Sequence, residues 1–374
     1  MGTILLTAFE PFDGKERNAS AEVLRLLPDR IGGNDVRKML LPVVFGKAAE
    51  LVLRQEADAC FLLGEAGSRT KVTPEIRAKN HRDARIPDNA GNMPAGEEIM
   101  PGGPEEYRTR VAAIRIAARM RTEGYDIEAS EDAGAFVCND TFYGVGIRRR
   151  EPVEFIHCPG RADMAGKYAE TVRRFVEIAM AEERTVSEAR DYITELFRGN
   201  TDGHGSDHTM RVYRNALEIA ETEPEADRFL IAMGALLHDA DDAKLFRTEN
   251  NANARRFLEN RDICPETTEE ICRIINGVSF SKNGDRRPEK IEGQIVQDAD
   301  RLDAIGAVGI ARTFAFGGKH DRTPEDSIAH FHEKLLLLKD RMNTAGGKKM
   351  AESRHAFLEM FLKEWDMEQG SQPV

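Results

Sequence analysis

Short apolar runs punctuate the first 160 residues, and each gives way to a polar or glycine-containing stretch. Thr3–Ala8 (TILLTA), Val36–Val44, Ala59–Leu63 (ACFLL) and Val153–Ile156 are too short for buried helices and predict strands. Ala19–Leu27, Gly46–Glu56, Pro104–Glu123 and Lys167–Glu183 carry helical spacing, the first ended by Pro28. Strands alternating with helices predict an α/β/α sandwich around a mostly parallel sheet. In such sheets functional groups gather at the carboxyl ends of the strands. The loops after Ala8, Leu63, Val137 and Ile156 are therefore expected to converge. Val137 belongs in that set because Ala135-Phe136-Val137 reads as one more buried strand, yielding at Cys138 to a turn or helix. Lys71–Gly103 is polar, rich in Pro, Gly and Asn, and has no clear period, as in long functional loops.

From Ser187 onward no strand-like alternation occurs. Ser187–Phe197, Asp207–Glu221, Ala226–His238, Asn250–Leu258, Thr267–Asn276, Ile291–Ala304, Ala329–Met342 and Lys349–Trp365 all read as helices. The change of period near Glu182–Ser187 predicts two domains, 1–183 and 187–374, the second an all-α bundle. A chain of 374 residues suits two domains.

Composition narrows the function classes. No apolar run approaches the length of a membrane span. The N-terminus lacks a basic start and reaches Glu10 too early for a signal peptide. A net charge of −12 argues against non-specific nucleic-acid binding. The five cysteines are odd in number and form no CxxC pair, so neither a disulfide framework nor a zinc knuckle is expected, and a reducing cytoplasm fits.

Within the first domain Cys138 is the candidate nucleophile, since a thiol at the end of an apolar run can be partly exposed on rigid support. Cys60, inside ACFLLG, reads as core, and Cys264 and Cys272 as packing residues. A thiolate needs an imidazole beside it and an acid to orient the imidazole. His157, at a strand end and before Cys158-Pro159, is the better imidazole; His81 lies in the irregular loop. Glu65, Glu75, Asp83, Asp88 and Asp140 are all eligible acids, and spacing does not choose among them.

Six blocks in order do choose. They are TAFEPFDGKERN (Thr7–Asn18), GEAGSR (Gly64–Arg69), VTPE (Val72–Glu75), DARIPDNAGN (Asp83–Asn92), VCNDTFYG (Val137–Gly144) and FIH (Phe155–His157). Together they make residues 1 to about 182 resemble pyroglutamyl peptidase I, a cytoplasmic, commonly oligomeric cysteine peptidase acting on pyroglutamyl peptides. The resemblance implies Cys138 as nucleophile, His157 as base and Glu75 as orienting acid, with no cofactor. It further implies Phe9 and Phe12 as walls for the pyroglutamyl ring and Arg85 near the scissile carbonyl. The chain departs from the family pattern at Glu65 (usually Gln), Ile76 (often Arg), Asp140 (often His) and in the segment CPGRADMAGK after His157. These departures bear on substrate preference.

The second domain offers DHTMRVYRNA (Asp207–Ala216), ALLHDADDAK (Ala235–Lys244) and IVQDADRLDAIGA (Ile295–Ala307). Imidazoles with carboxylates suit a divalent metal ion, which activates water and polarises phosphoryl oxygens. The H…HD…D pattern resembles the HD-domain metal-dependent phosphohydrolases, over roughly residues 187–365. It implies His208, His238, Asp239 and Asp300 as ligands of a divalent metal (Mn, Mg, Fe, Co or Zn), with Asp298 as the alternative last ligand. Asp242 matches a frequent second acid for water or proton transfer. Lys244, Arg211, Arg301 and Arg312 are candidate phosphate contacts or plain surface charges, and His204 is not expected to bind metal. The implied function is a fused hydrolase: a pyroglutamyl-removing cysteine peptidase joined to a phosphohydrolase of nucleotides or other phosphoesters. The alternative leaves only the phosphohydrolase active, with the first domain a ligand-binding or dimerising module.

Overall fold

The computed structural model describes residues 2–199, 205–243, 245–261, 263–278 and 286–370. The chain divides into two compact units, Met1–Glu183 and Arg184–Val374.

In the first unit β1 (Thr3–Phe9), α1 (Ala19–Leu26), β2 (Arg30–Ile31), β3 (Asn34–Leu41), α2 (Lys47–Leu53) and β4 (Ala59–Ala66) follow in order. Then come the short strands β5 (Thr73–Glu75), β6 (Arg77–Lys79), β7 (Arg82–Asp83), β8 (Ala95–Glu97) and β9 (Glu106–Arg108). Helices α3 (Ala113–Thr122) and α4 (Val137–Gly146), strand β10 (Val153–Pro159) and helix α5 (Ala165–Leu196) complete the series. The main sheet has the order β2-β3-β1-β4-β10-β5. Its centre, β3-β1-β4-β10, is parallel; β2 and β5 join antiparallel at the edges.

Both faces of this sheet are buried. Ile4, Leu6 and Ala8 of β1 point into one core, with Phe61, Leu63 and Ile156 and residues of α1, α3 and α5. Leu5 and Phe9 point into the other, with Cys60, Leu62, Phe155 and residues of α2 and α4. Side chains alternate across a strand, so a strand that is apolar at nearly every position fills two cores at once. The sequence pattern therefore has a sandwich as its consequence.

Before β10, three expectations are corrected. Ala135-Phe136-Val137 is not a strand: Val137 and Cys138 open helix α4. A three-residue apolar run has no length with which to distinguish strand from helix. Lys71–Gly103 contains four short strands, β5 to β8, among its turns. Pro104–Glu123 is a helix only from Ala113 on; Glu106–Arg108 instead pairs with Arg77–Lys79. There Tyr107 packs so closely on Gly146 that a Cβ at that glycine would lie 2.2 Å from the ring.

Helix α5 runs unbroken through residues read from sequence as a boundary between two helices. The segment Glu182–Ser187 contains neither Gly nor Pro, and nothing in it breaks a helix.

The described residues of the second unit contain no strand. Helices α6 (Ser206–Ala220), α7 (Arg228–Leu237), α8 (Ala252–Glu259), α9 (Pro265–Val278), α10 (Ile291–Asp303), α11 (Gly306–Lys319), α12 (Pro324–Glu333) and α13 (Ala345–Glu368) surround one core. Helix α11 adds to the expected set, and the Ala329–Met342 helix is replaced by α12 and two 3₁₀ turns. Helix α12 starts at a capping box between Thr323 and Asp326, which satisfies its first N–H groups. Helix α7, RFLIAMGALL, is buried from Phe229 to Leu237. An all-apolar helix belongs at a bundle's centre, so its C-terminal end brings His238-Asp239 to the middle of the unit.

Candidate functional sites

The first site lies at the carboxyl end of the sheet. Phe9 closes β1 and Phe12 lies in the loop beyond; Glu65 is near the end of β4, and His157 lies on β10. Helix α4 supplies Cys138. All five line one cavity of about 140 Å³, together with Asn18, Val43, Ala133, Gly134, Phe136 and Val137. His157 pairs with Gly64 on one side and with Thr73 on the other, and Phe155 pairs with Glu75. That register carries Glu75 to the imidazole: His157 Nδ1 is 2.7 Å from Glu75 Oε1, and the Glu75 side chain is fully buried. Arg69 Nη2 donates to the same oxygen (3.2 Å), to Ser130 Oγ (2.8 Å) and to the Asp132 carbonyl (2.9 Å). Arg69, in the GEAGSR block, thus braces the acid; only its tertiary setting reveals this.

Cys138 occupies the second position of α4, whose N-terminus has no side-chain cap. The first N–H groups of a helix lack intrahelical partners and favour negative charge. A thiolate, and an oxyanion forming beside it, would both meet these donors. Burial disfavours an imidazolium at His157, but Cys138 and Glu75 outweigh it and raise the pKa to about 9. Cys60 and Cys158 are buried, with thiol pKa values pushed by that burial up to about 11 and about 12. Cys138 is the partly exposed cysteine of this unit. Its approach to the sheet requires glycine at position 64: a Cβ there would be 2.7 Å from the Phe155 ring and 3.0 Å from Cys138 Sγ.

The walls are aromatic. Phe12 and Phe136 have ring centroids 6.1 Å apart, and Phe45 stands edge-on to Phe136 at 5.3 Å. Phe136, read from sequence as part of a strand, is a wall of the cavity. Glu65 accepts from Lys15 Nζ (2.8 Å) and from the Ala19 N–H at the start of α1 (2.6 Å). Asp140 faces away from the cavity: it is buried, paired with Arg82, and accepts the Gly46 N–H at 2.7 Å. Arg85 is exposed and is not among the cavity's lining residues.

In the second unit His208 and Arg211 come from α6, His238-Asp239 follow α7, and Asp300 and Asp303 lie on α10. His208, His238 and Asp300 each offer a ligand atom, all within 4.8 Å of one another. The two Nε2 atoms are 3.3 Å apart. Asp300 Oδ1 is 3.3 Å from His208 Nε2, and Asp239 Oδ2 is 3.5 and 3.4 Å from the Nε2 atoms of His208 and His238. On their far sides His238 Nδ1 meets the Ala235 carbonyl at 2.8 Å and His208 Nδ1 meets Asp303 Oδ2 at 2.7 Å. A carbonyl and a carboxylate only accept, so the ring hydrogens sit on Nδ1. Both Nε2 lone pairs then face each other and two carboxylates. Acceptors converging on one point call for a cation, and this nitrogen–oxygen set fits a divalent metal. Without metal a proton fills the role: burial opposes it, but Asp239 and Asp300 raise the His238 pKa to about 9.

Asp298 is turned elsewhere. It accepts from Asn343 N–H and Nδ2 and from Thr344 N–H and Oγ1, each at 2.8 Å, holding the start of α13. Asp242 follows the His-Asp pair in a turn and is not in the converging group. Arg301 is buried and donates to the Arg341 carbonyl. Lys244 and His204 lie outside the described residues.

Comparison with known proteins bears on both sites. The pyroglutamyl peptidase family matches residues 2–166 and the HD domain matches residues 205–305. The pyrrolidone-carboxylate peptidase of Staphylococcus saprophyticus is 37% identical over 165 residues, 42% of this chain and 78% of that protein. YpgQ of Bacillus subtilis (strain 168) is 37% identical over 193 residues, 50% of this chain and 94% of that protein. The chain joins a pyroglutamyl peptidase domain to an HD domain. The crystal structure of pyroglutamyl peptidase I from Bacillus amyloliquefaciens is similar at 33% identity, with a TM-score of 0.46, over 48% of this chain and 98% of that one. Within the peptidase domain Cys138 and His157 line the cavity with Phe9 and Phe12, and buried Glu75 contacts His157. Within the HD domain His208, His238, Asp239 and Asp300 gather. Both domains belong to hydrolase families, and among the described residues no helix is long and apolar enough to cross a membrane.

Proposed function

We propose that the chain is a bifunctional hydrolase. Its first unit removes N-terminal pyroglutamate from peptides, and its second hydrolyses a nucleotide or another phosphoester with a divalent metal. The observation that supports the peptidase reading best is the 2.7 Å contact of Glu75 with His157, beside Cys138 in a cavity with aromatic walls. A pyroglutamyl ring is small, flat and uncharged, and such walls suit it. In this reading the Cys138 thiolate attacks the carbonyl joining the ring to the next residue. The N–H groups opening α4 receive the oxyanion, and the His157 imidazolium protonates the departing amine. Water, deprotonated by His157, then releases the acyl group. A reducing cytoplasm would keep Cys138 a thiol.

The phosphohydrolase reading is supported by the four acceptors that converge from His208, His238, Asp239 and Asp300. They would hold a divalent ion, which supplies an activated water and a Lewis acid for the phosphoryl oxygen.

A fluorogenic pyroglutamyl amide tests the first unit: the protein cleaves it and Cys138→Ala does not. Cleavage that persists in the variant ends the assignment. A screen of nucleotides and phosphoesters with Mn²⁺, Co²⁺, Mg²⁺, Fe²⁺ or Zn²⁺ tests the second. Loss of activity in His238→Ala and Asp239→Ala is expected, and turnover that survives both rejects the ligand set. A single observation favours a narrower peptidase specificity: the Glu65 carboxylate lines the cavity, pinned by Lys15.

A further inference from the structure

Asp303 is the third carboxylate of the DADRLD stretch, and its setting differs from those of Asp298 and Asp300. Its side chain is 2% exposed. Oδ2 lies 2.7 Å from His208 Nδ1. Arg211 donates through Nε to Oδ1 (2.5 Å) and through Nη2 to Oδ2 (3.0 Å). Arg312 Nη1 also donates to Oδ2, and reaches the Asp303 carbonyl at 3.3 Å. Three helices thus meet on one carboxylate: α6 through His208 and Arg211, α10 through Asp303 itself, and α11 through Arg312.

We propose that Asp303 is a positioning residue for His208, holding the ring so that Nε2 faces the metal, and that Arg211 and Arg312 hold Asp303. This rests on the metal-dependent reading of the second unit. An imidazole attached by one bond can spin about it and can carry its hydrogen on either nitrogen. Asp303 fixes both choices at once, because Nδ1–H is the only ring group it can receive at that place. His238 has the same problem solved by a backbone carbonyl, that of Ala235. The two rings therefore present equivalent nitrogens, one fixed by main chain and one by a side chain that can be replaced. His208 and Arg211 are three apart on α6, so both project from one face of that helix. The carboxylate receives them together, and Arg312 closes it from a third direction.

The full chain, stripped with EDTA, is titrated with Co²⁺; the visible absorption reports ligand geometry and competition with a chelator reports affinity. Asp303→Ala should weaken Co²⁺ binding about 10–100-fold and alter the absorption envelope, while circular dichroism shows the helices retained. Asp303→Asn should recover part of the affinity, since its amide oxygen still accepts from Nδ1–H. Arg312→Met should give a smaller loss in the same direction. Wild-type affinity in a folded Asp303→Ala overturns the proposal. Should that variant unfold, Arg312→Met decides: weakened binding in a folded protein upholds the proposal, and unchanged binding overturns it. No Co²⁺ binding by the unaltered protein rejects the metal reading itself, and this inference with it.

Discussion

His157 sits between an acid and a thiol, and in the proposed peptidase reaction its proton sets the working pH range. Burial acts against the imidazolium, but Cys138 and Glu75 raise the pKa to about 9, above the roughly 6.5 of a free imidazole. A base whose pKa rises on folding stabilises the fold fully below the unfolded value. That contribution fades as pH climbs through about 9. In the proposed peptidase reaction the leaving amine takes that same proton. The rate constant kcat/KM for a pyroglutamyl amide is therefore expected to fall on the alkaline side near pH 9 and not near 6.5. Glu75→Gln removes the negative partner, so the alkaline limb should move to lower pH and kcat should drop by about 10²-fold or more. A pH–rate profile of the variant that superimposes on the original would show that Glu75 does not act through His157.

At the scale of elements, a close approach and a cap decide what each site can tolerate. Helix α4 can bring Cys138 against β4 because position 64 lacks a Cβ. Gly64→Ala forces the Phe155 ring and Cys138 Sγ to move. Overpacking of this kind costs about 1–3 kcal/mol. Denaturant unfolding should show that loss, together with a fall in peptidase rate larger than the fraction unfolded explains. In the other unit α10 carries two aspartates that spacing alone does not separate. Asp298 holds the start of α13 through four hydrogen-bond donors, and Asp300 faces the imidazoles. Asp298→Ala should cost about 1–3 kcal/mol yet leave metal affinity within a few-fold. Asp300→Asn should do the reverse, and equal effects in both assays would refute the division of labour. Legibility follows the same physics. The buried parallel strands could be read because both faces are apolar, and the central helix α7 because it is apolar all round. Helix α4 could not, since Ala135-Phe136-Val137 suits either structure. Arg69 and Asp303 were invisible as bracing residues because Arg69 is held by Ser130, 61 positions away, and Asp303 meets His208, 95 positions away. No local pattern records such a meeting.

At the scale of the whole molecule, each hydrophobic core draws its residues from one unit. The two proposed chemistries would need different things: a reduced thiol in one unit and a cation in the other. A ligand stabilises the state that binds it by RT ln(1 + [L]/Kd), about 2.7 kcal/mol at a hundredfold excess over Kd. Mn²⁺ at that excess should therefore raise the unfolding midpoint of the unit containing His208 and His238, and EDTA should lower it again. Iodoacetamide, by contrast, should attack Cys138 before the buried Cys60 and Cys158, whose thiols are held protonated. Alkylation should then abolish cleavage of the pyroglutamyl amide and leave phosphoester turnover in place, whereas EDTA should do the opposite. The crossed design separates the two readings of the chain. If alkylation leaves peptide cleavage absent before and after, while the metal-dependent rate is normal, the first unit is a binding module. If each reagent silences one activity alone, both units are enzymes that share a chain without sharing a mechanism.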